Sequence, residues 1–202
     1  RYERLDEKTK AELIGGIVYV ASPLGLPHGL YHVELGVVFG TYKAHTPGVE
    51  AADNATTILN EFSEPQPDLS LRILPEFGGQ TRVSTKYLTG APELMAEIAQ
   101  SSHAIDLHLK KDDYERAGVL EYIVLCIEPP DLHWFRLQAR REVRPNAQGI
   151  YRSRVFPGLW IDGPALLARN TARLIEVVHQ GLSSAEHAAF LRQLNSRRQK
   201  HT

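Results

Sequence analysis

Residues 91–102 read APELMAEIAQSS, and how this stretch is read decides the fold. Leu94, Met95, Ala96, Ile98 and Ala99 leave no polar alternation, so 93–99 is expected to be a strand covered on both faces. Glu97 interrupts it. Burying one unpaired carboxylate costs several kcal/mol or drives its pKa upward, so Glu97 needs a partner, either a cation or a lysine.

Downstream, Ser102 can cap a helix over about 103–116, which Gly118 closes. LEYIVLCIE (120–128) is almost continuously apolar and rich in β-branched residues, as a central buried strand would be. DLHWFRLQ (131–138) and RREVRP (140–145) follow as antiparallel strands, and GIYRSRVFPGLWID (149–162) as a hairpin-like return. From Pro164 the chain reads as helical, with a break near Gly181 and Leu182. Upstream, ELIGGIVYV (12–20) gives two short strands about Gly15 and Gly16, a pair that supplies the positive φ of a tight turn. Apolar residues recur at helical spacing over about 28–45 until Pro47 and Gly48 stop them. GVEAAD, ATTILN and PDLSLRIL are strand-like, and 75–86 reads as a loop. This order predicts an α/β or α+β domain: a mixed sheet flanked by helices, with an N-terminal hairpin and a C-terminal helical tail.

A chain of 202 residues with 43% hydrophobic and 23% charged residues can bury a core of its own. The net charge of −1 excludes a global field that would announce nucleic acid or an anionic membrane, so any such partner must meet a local patch. Cys126 is the only cysteine, which excludes an internal disulfide and leads to the expectation of a reducing, cytoplasmic setting. The longest uncharged run, 13–33, holds four glycines, two prolines and two histidines and would make a poor membrane helix. The opening RYERLDEKTK is charged and does not resemble a signal peptide.

A second carboxylate occupies a strand expected to be buried: Asp68, in PQPDLSLRI. Two such acids can hold a divalent metal completed by water and substrate phosphate, which fits Mg²⁺, with Mn²⁺ as a substitute. In AIDLHLKKDDYERAGV, Lys110 and Tyr114 are four apart and share a helical face with Asp106, so a lysine can point back at the sheet. Two acids and an ammonium would polarise a phosphodiester and neutralise the charge of its transition state. Tyr114 reads more readily as packing than as a catalytic group. His28 and His32, at i and i+4, have zinc-ligand spacing, but the sequence shows no third ligand.

Taken in order, ELIGGIVYVASPLGLPHG, PQPDLSLRI, GAPELMAEIAQSS, DLHLKKDDYERAGVLEYIVL and FPGLWID resemble the Uma-two family of bacterial endonucleases, within the PD-(D/E)xK, restriction-endonuclease-like superfamily. The resemblance covers about 12–168 and implies a restriction-endonuclease-like nuclease domain over 1–168, with 169–202 as a C-terminal helical extension. It implies that Asp68 and Glu97 bind the metal and that Lys110 is a catalytic lysine moved from the strand to the following helix. Lys111 is left as the alternative to Lys110. Glu12 and His28 match the family's polar positions around the site. The chain departs from the superfamily at Ala99, where lysine is usual two residues after the acid.

The expected activity is Mg²⁺-dependent hydrolysis of DNA phosphodiesters. The alternative is a catalytically inactive nuclease-fold module that binds DNA or protein, for which Ala99 is the motive. A third reading is a phosphoesterase acting on RNA or a nucleotide. Arg140, Arg141 and Arg144 lie in an arginine-rich region that could neutralise phosphates. No nucleotide cofactor is expected, because the chain has no GxxxxGK[ST] and no GxGxxG ahead of a helix. A homodimer is compatible with this reading, since cutting both strands is simplest with two related sites.

Overall fold

A computed structural model describes residues 11–20, 22–84, 86–100 and 103–201. β1 (Ala11–Ile14) and β2 (Ile17–Val20) form a hairpin, and α1 (Leu26–Ala44) follows. β3 (Val49–Asp53), β4 (Thr57–Ile58), β5 (Leu69–Ile73), β6 (Arg82–Ser84), β7 (Tyr87–Thr89) and β8 (Leu94–Ala99) come next. A π-helical stretch, Ile105–Lys110, runs into α2 (Lys111–Ala117). The chain continues with β9 (Glu121–Ile127), β10 (Pro130–Arg136), β11 (Arg141–Glu142), β12 (Ile150–Arg152) and β13 (Trp160–Asp162). It ends in α3 (Gly163–Leu167), α4 (Thr171–Leu182) and α5 (Ala185–His201).

The main sheet has the order β11-β10-β9-β8-β5-β3. β8 and β9 are parallel, and every other pair in it is antiparallel. Parallel neighbours require a crossover, and the π-helix with α2 supplies it, covering one face of the sheet. This is the mixed sheet with flanking helices that the element order predicts.

Side chains alternate between the faces of a strand, so β8 and β9 each feed two cores. Leu94, Ala96 and Ile98 with Ile123 and Leu125 join Leu35, Val38 and Phe39 of α1 and Leu174 and Val178 of α4 on one face. Met95 and Ala99 with Tyr122, Val124 and Cys126 meet Tyr114 and Val119 on the other. Glu97 shares the parity of Met95 and Ala99, which places it beneath the π-helix and α2.

Some local expectations change. The expected loop 75–86 holds a single helical turn, Pro75–Phe77, and strand β6, whose residues are exposed and carry no burial pattern to betray a strand. Together β4, β7 and β6 make a small separate sheet. RREVRP pairs only over Arg141–Glu142, because a helical turn and the left-handed Arg140 (φ 49°) precede it. The first helix begins two residues earlier than its apolar spacing shows, with Pro27 in its opening turn. The helix after β8 is present, but Ser102, its expected cap, lies outside the described residues.

Candidate functional site

A cleft of about 340 Å³ opens where the β1–β2 hairpin, the start of α1, the ends of β5 and β8 and the π-helix converge. Glu12, His28, Asp68, Glu97, Asp106 and Lys110 line it. The hairpin is fastened over the chain entering β5 by paired backbone bonds between Leu13 and Glu64 and by the Gly16 amide on the Phe62 carbonyl. That docking brings Glu12 inward, where one of its oxygens accepts the Gln66 amide at 2.7 Å.

Lys110 is the hub of one half of the cleft. Its ammonium lies 3.0 Å from Glu97 Oε1, 3.0 Å from Glu12 Oε2 and 3.7 Å from Asp106 Oδ1. Tyr114, one turn further along the same helical face, donates its hydroxyl to Glu97 Oε1 at 2.8 Å. The side chain of Lys110 is only 7% exposed, so these contacts are little screened by water. Lys111 points elsewhere, with its ammonium over the Phe135 ring at 5.0 Å.

Asp68 anchors the other half. Its Oδ2 accepts the backbone amide of Ile98, the residue after Glu97, at 2.7 Å, and lies 3.2 Å from His28 Nε2. Its Oδ1 lies 3.9 Å from His32 Nδ1, and His32 Nε2 is 3.2 Å from Asp53 Oδ1. His28, His32 and Asp68 each offer a donor atom within 4.8 Å of the others.

Burial would raise the Asp68 pKa, but the hydrogen bond and charge of His28, the Ile98 amide and His32 outweigh it and hold the carboxyl below its ordinary value. Glu97 goes the other way: burial lifts its carboxyl well above the usual range, Lys110 pulls it back, and the neighbouring charges of Asp68, Glu12 and Asp106 push it up again. For Lys110, burial favours the neutral amine, yet Glu97, Glu12 and Asp106 reverse this and hold the ammonium charged above the ordinary lysine value. Three acids thus face Lys110, and Asp68 is a fourth acid in the same cleft.

A comparison with family models matches residues 1–167 to Uma2, described as "Putative restriction endonuclease". The chain belongs to the Uma2 family. A solved structure from Anabaena variabilis, described as a "putative nuclease belonging to DUF820", superposes with a TM-score of 0.63 over 83% of this chain and 95% of that one. At 16% identity this likeness shows the fold alone. A comparison with curated proteins finds no match.

In this Uma2 member the structure gathers Glu12, His28, Asp68, Glu97, Lys110 and Tyr114 around one cleft or directly behind it. It does not bring the arginines there. Arg140 pairs with Glu115 at 2.7 Å, while Arg141 and Arg144 line a different cleft with Arg136, Arg152 and Arg154. The two clefts share no residue. The sequence reading passed over His32 for want of a third ligand, and Asp68 stands beside it, 36 residues further on. The i, i+4 spacing of His28 and His32 was the available signal. No helix among the described residues is long and apolar enough to cross a membrane.

Proposed function

We propose that this chain is a divalent-metal-dependent nuclease that hydrolyses DNA phosphodiesters, with Asp68 and Glu97 holding Mg²⁺ and Lys110 acting as the catalytic cation. One observation carries the reading. Lys110 reaches Glu97 at 3.0 Å from the helix after the strand, while Asp68 touches the backbone of the next residue, Ile98, inside the same cleft. A lysine does not need to stand at position 99 if the ammonium arrives from position 110. The inactive-module alternative thereby loses the feature that motivated it.

The donor set fits an ion that prefers oxygen ligands and keeps part of its water shell. Its excess of acids over cations is what a divalent charge would compensate; burial first, and then the charges of Asp68, Glu12 and Asp106, push Glu97 upward. When bound, Mg²⁺ supplies Lewis-acid polarisation of a phosphoryl oxygen and a lower pKa for a coordinated water. The residues do the remaining work. Lys110 stays protonated, so it acts as a fixed positive charge beside the developing phosphorane and not as a base. Tyr114 donates to the same Glu97 oxygen as Lys110 and so fixes the orientation of that carboxylate. Glu12, clamped by the Gln66 amide, holds Lys110 from the far side. In the net reaction a water oxygen bonds to phosphorus, the phosphorus–oxygen bond to the leaving sugar breaks, and the leaving oxygen gains a proton.

The test is the melting temperature with and without Mg²⁺, alongside cleavage of plasmid and single-stranded DNA. Mg²⁺ at about 100 times its dissociation constant should add about 2.7 kcal/mol to the parent. Asp68→Asn and Glu97→Gln should lose both the shift and the cleavage. A shift that survives in Glu97→Gln would overturn the assignment of the ion.

A further inference from the structure

We propose that His28, His32 and Asp68 form a transition-metal site, one that takes Zn²⁺ or a similar borderline ion and that Mg²⁺ does not fill. It shares Asp68 with the proposed Mg²⁺ pair but has two imidazoles in place of Glu97, and it does not depend on the nuclease reading.

The geometry comes first. Ligand atoms bonded to a tetrahedral zinc at about 2.0–2.1 Å stand roughly 3.3–3.4 Å from one another. His28 Nε2 lies 3.2 Å from Asp68 Oδ2, and His32 Nδ1 lies 3.9 Å from Asp68 Oδ1, so the pairs straddle that spacing. The histidines are one turn apart on α1, with ring centroids 5.8 Å from each other. Three protein ligands leave a position for water or substrate, and His28 and Asp68 both open onto the cleft.

The nitrogens that face Asp68 are His28 Nε2 and His32 Nδ1. His28 is 4% exposed, and the opposite nitrogens, His28 Nδ1 and His32 Nε2, have no hydrogen-bond partner, so no bond on the far side of either ring fixes its tautomer against a lone pair directed at Asp68. The 3.9 Å gap between His32 Nδ1 and Asp68 is too long for a hydrogen bond and suits an ion placed between them. A small rotation of His32 would let Asp53 accept from Nε2, the carboxylate–histidine–metal relay that fixes tautomer and ring orientation. Imidazole nitrogens favour zinc and related ions, whereas magnesium favours oxygen, so the ligand types predict the selectivity.

Isothermal titration of the full chain with Zn²⁺, and separately with Mg²⁺, tests this. The parent should bind Zn²⁺, and His32→Gln should weaken that binding at least about tenfold while leaving Mg²⁺ affinity within about twofold. Glu97→Gln should retain Zn²⁺ binding, so a failed magnesium site and a failed zinc site are told apart. Asp53→Asn, at an exposed position where unfolding is not at issue, should lower Zn²⁺ affinity by a smaller factor than His32→Gln. Co²⁺ in place of Zn²⁺ should give a ligand-field spectrum in the parent that His32→Gln abolishes. A parent that binds no Zn²⁺ would overturn the site. So would Zn²⁺ binding that is unmoved by His32→Gln, or that follows His179→Gln at the His45–His179 pair instead.

Discussion

Glu97 and Asp68 are two buried carboxylates in one cleft whose surroundings drive their pKa values in opposite directions. Burial alone did not distinguish them as site residues. Glu93 and Glu121 are equally hidden, but Glu93 accepts the Ile73 and Gln80 amides, and Glu121 accepts from Ser153, Trp134 and the Arg154 amide. Those acids are satisfied by the fold. In the sequence, Glu97 stood out because it lies between apolar neighbours, whereas the partners of Glu93 and Glu121 become visible only in three dimensions. The raised pKa of Glu97 has a testable consequence. A carboxyl whose folded pKa exceeds its ordinary 4.5 adds stability that is complete below that value and is lost as pH rises through the folded pKa. A cation bound there must displace the proton, so Mg²⁺ affinity should rise with pH by up to about tenfold per unit below the folded pKa and level off above it. Titration in buffers of different ionisation enthalpy should detect proton release in the parent and none in Glu97→Gln. A parent whose Mg²⁺ affinity is flat in pH would contradict this.

The helix after β8 is the element that brings an ammonium to Glu97 although position 99 in the strand is alanine. Its i, i+4 pattern was legible, and the structure confirms that Asp106, Lys110 and Tyr114 share a face directed at Glu97. Its π-helical first part was not legible, because periodicity near 3.6 does not reveal a turn widened by one residue; such widened turns recur at functional sites. The choice between Lys110 and Lys111 was also open in the sequence; Lys110 is the one that reaches Glu97, while Lys111 lies over Phe135. Lys110→Met should destabilise the protein by about 3–5 kcal/mol, because it leaves Glu97, Glu12 and Asp106 without their counter-charge. Lys111→Met removes only a contact with the Phe135 ring, about 0.5–1 kcal/mol at a partly exposed site. Urea unfolding of the two variants measures the difference. Bound Mg²⁺ should recover part of the Lys110→Met loss, since it replaces one positive charge with another, and comparable losses in the two variants would refute the assignment. The β1–β2 hairpin was legible from Gly15 and Gly16, both at positive φ, but its role in carrying Glu12 to Lys110 follows only from its docking on the chain before β5.

Over the whole molecule, local periodicity yielded the order of elements and hence the mixed sheet, while pairings between distant segments had to come from the fold. The parallel pairing of β8 with β9 joins segments separated by a helix, and the face that Glu97 uses is set by that pairing together with its parity in β8. The C-terminal helices show the same division. Their existence and the break between α4 and α5 were readable, but not what they cover. Leu174, Val177, Val178, Phe190 and Leu194 are buried, and four of them pack into the core that contains α1 and the first face of β8. Gly181 approaches so near that a Cβ there would meet the Gly158 carbonyl, and Thr46 on the α1 side shares a hydrogen bond with His187 of α5. Burial of side chains of this size stabilises by about 1.5–3 kcal/mol each, so five amount to on the order of 10 kcal/mol. Whole domains are stable by only about 5–15 kcal/mol. A chain ending at residue 168 should therefore lose its cooperative thermal transition and, with it, the geometry of α1 that sets His28 and His32 against Asp68. Gly181→Ala should give a graded version, a loss of about 1–3 kcal/mol from overpacking with the fold retained. Calorimetry of both variants separates the outcomes: a truncated chain that still melts cooperatively and still binds Mg²⁺ would show that the helical tail is dispensable to the site, against the packing described above.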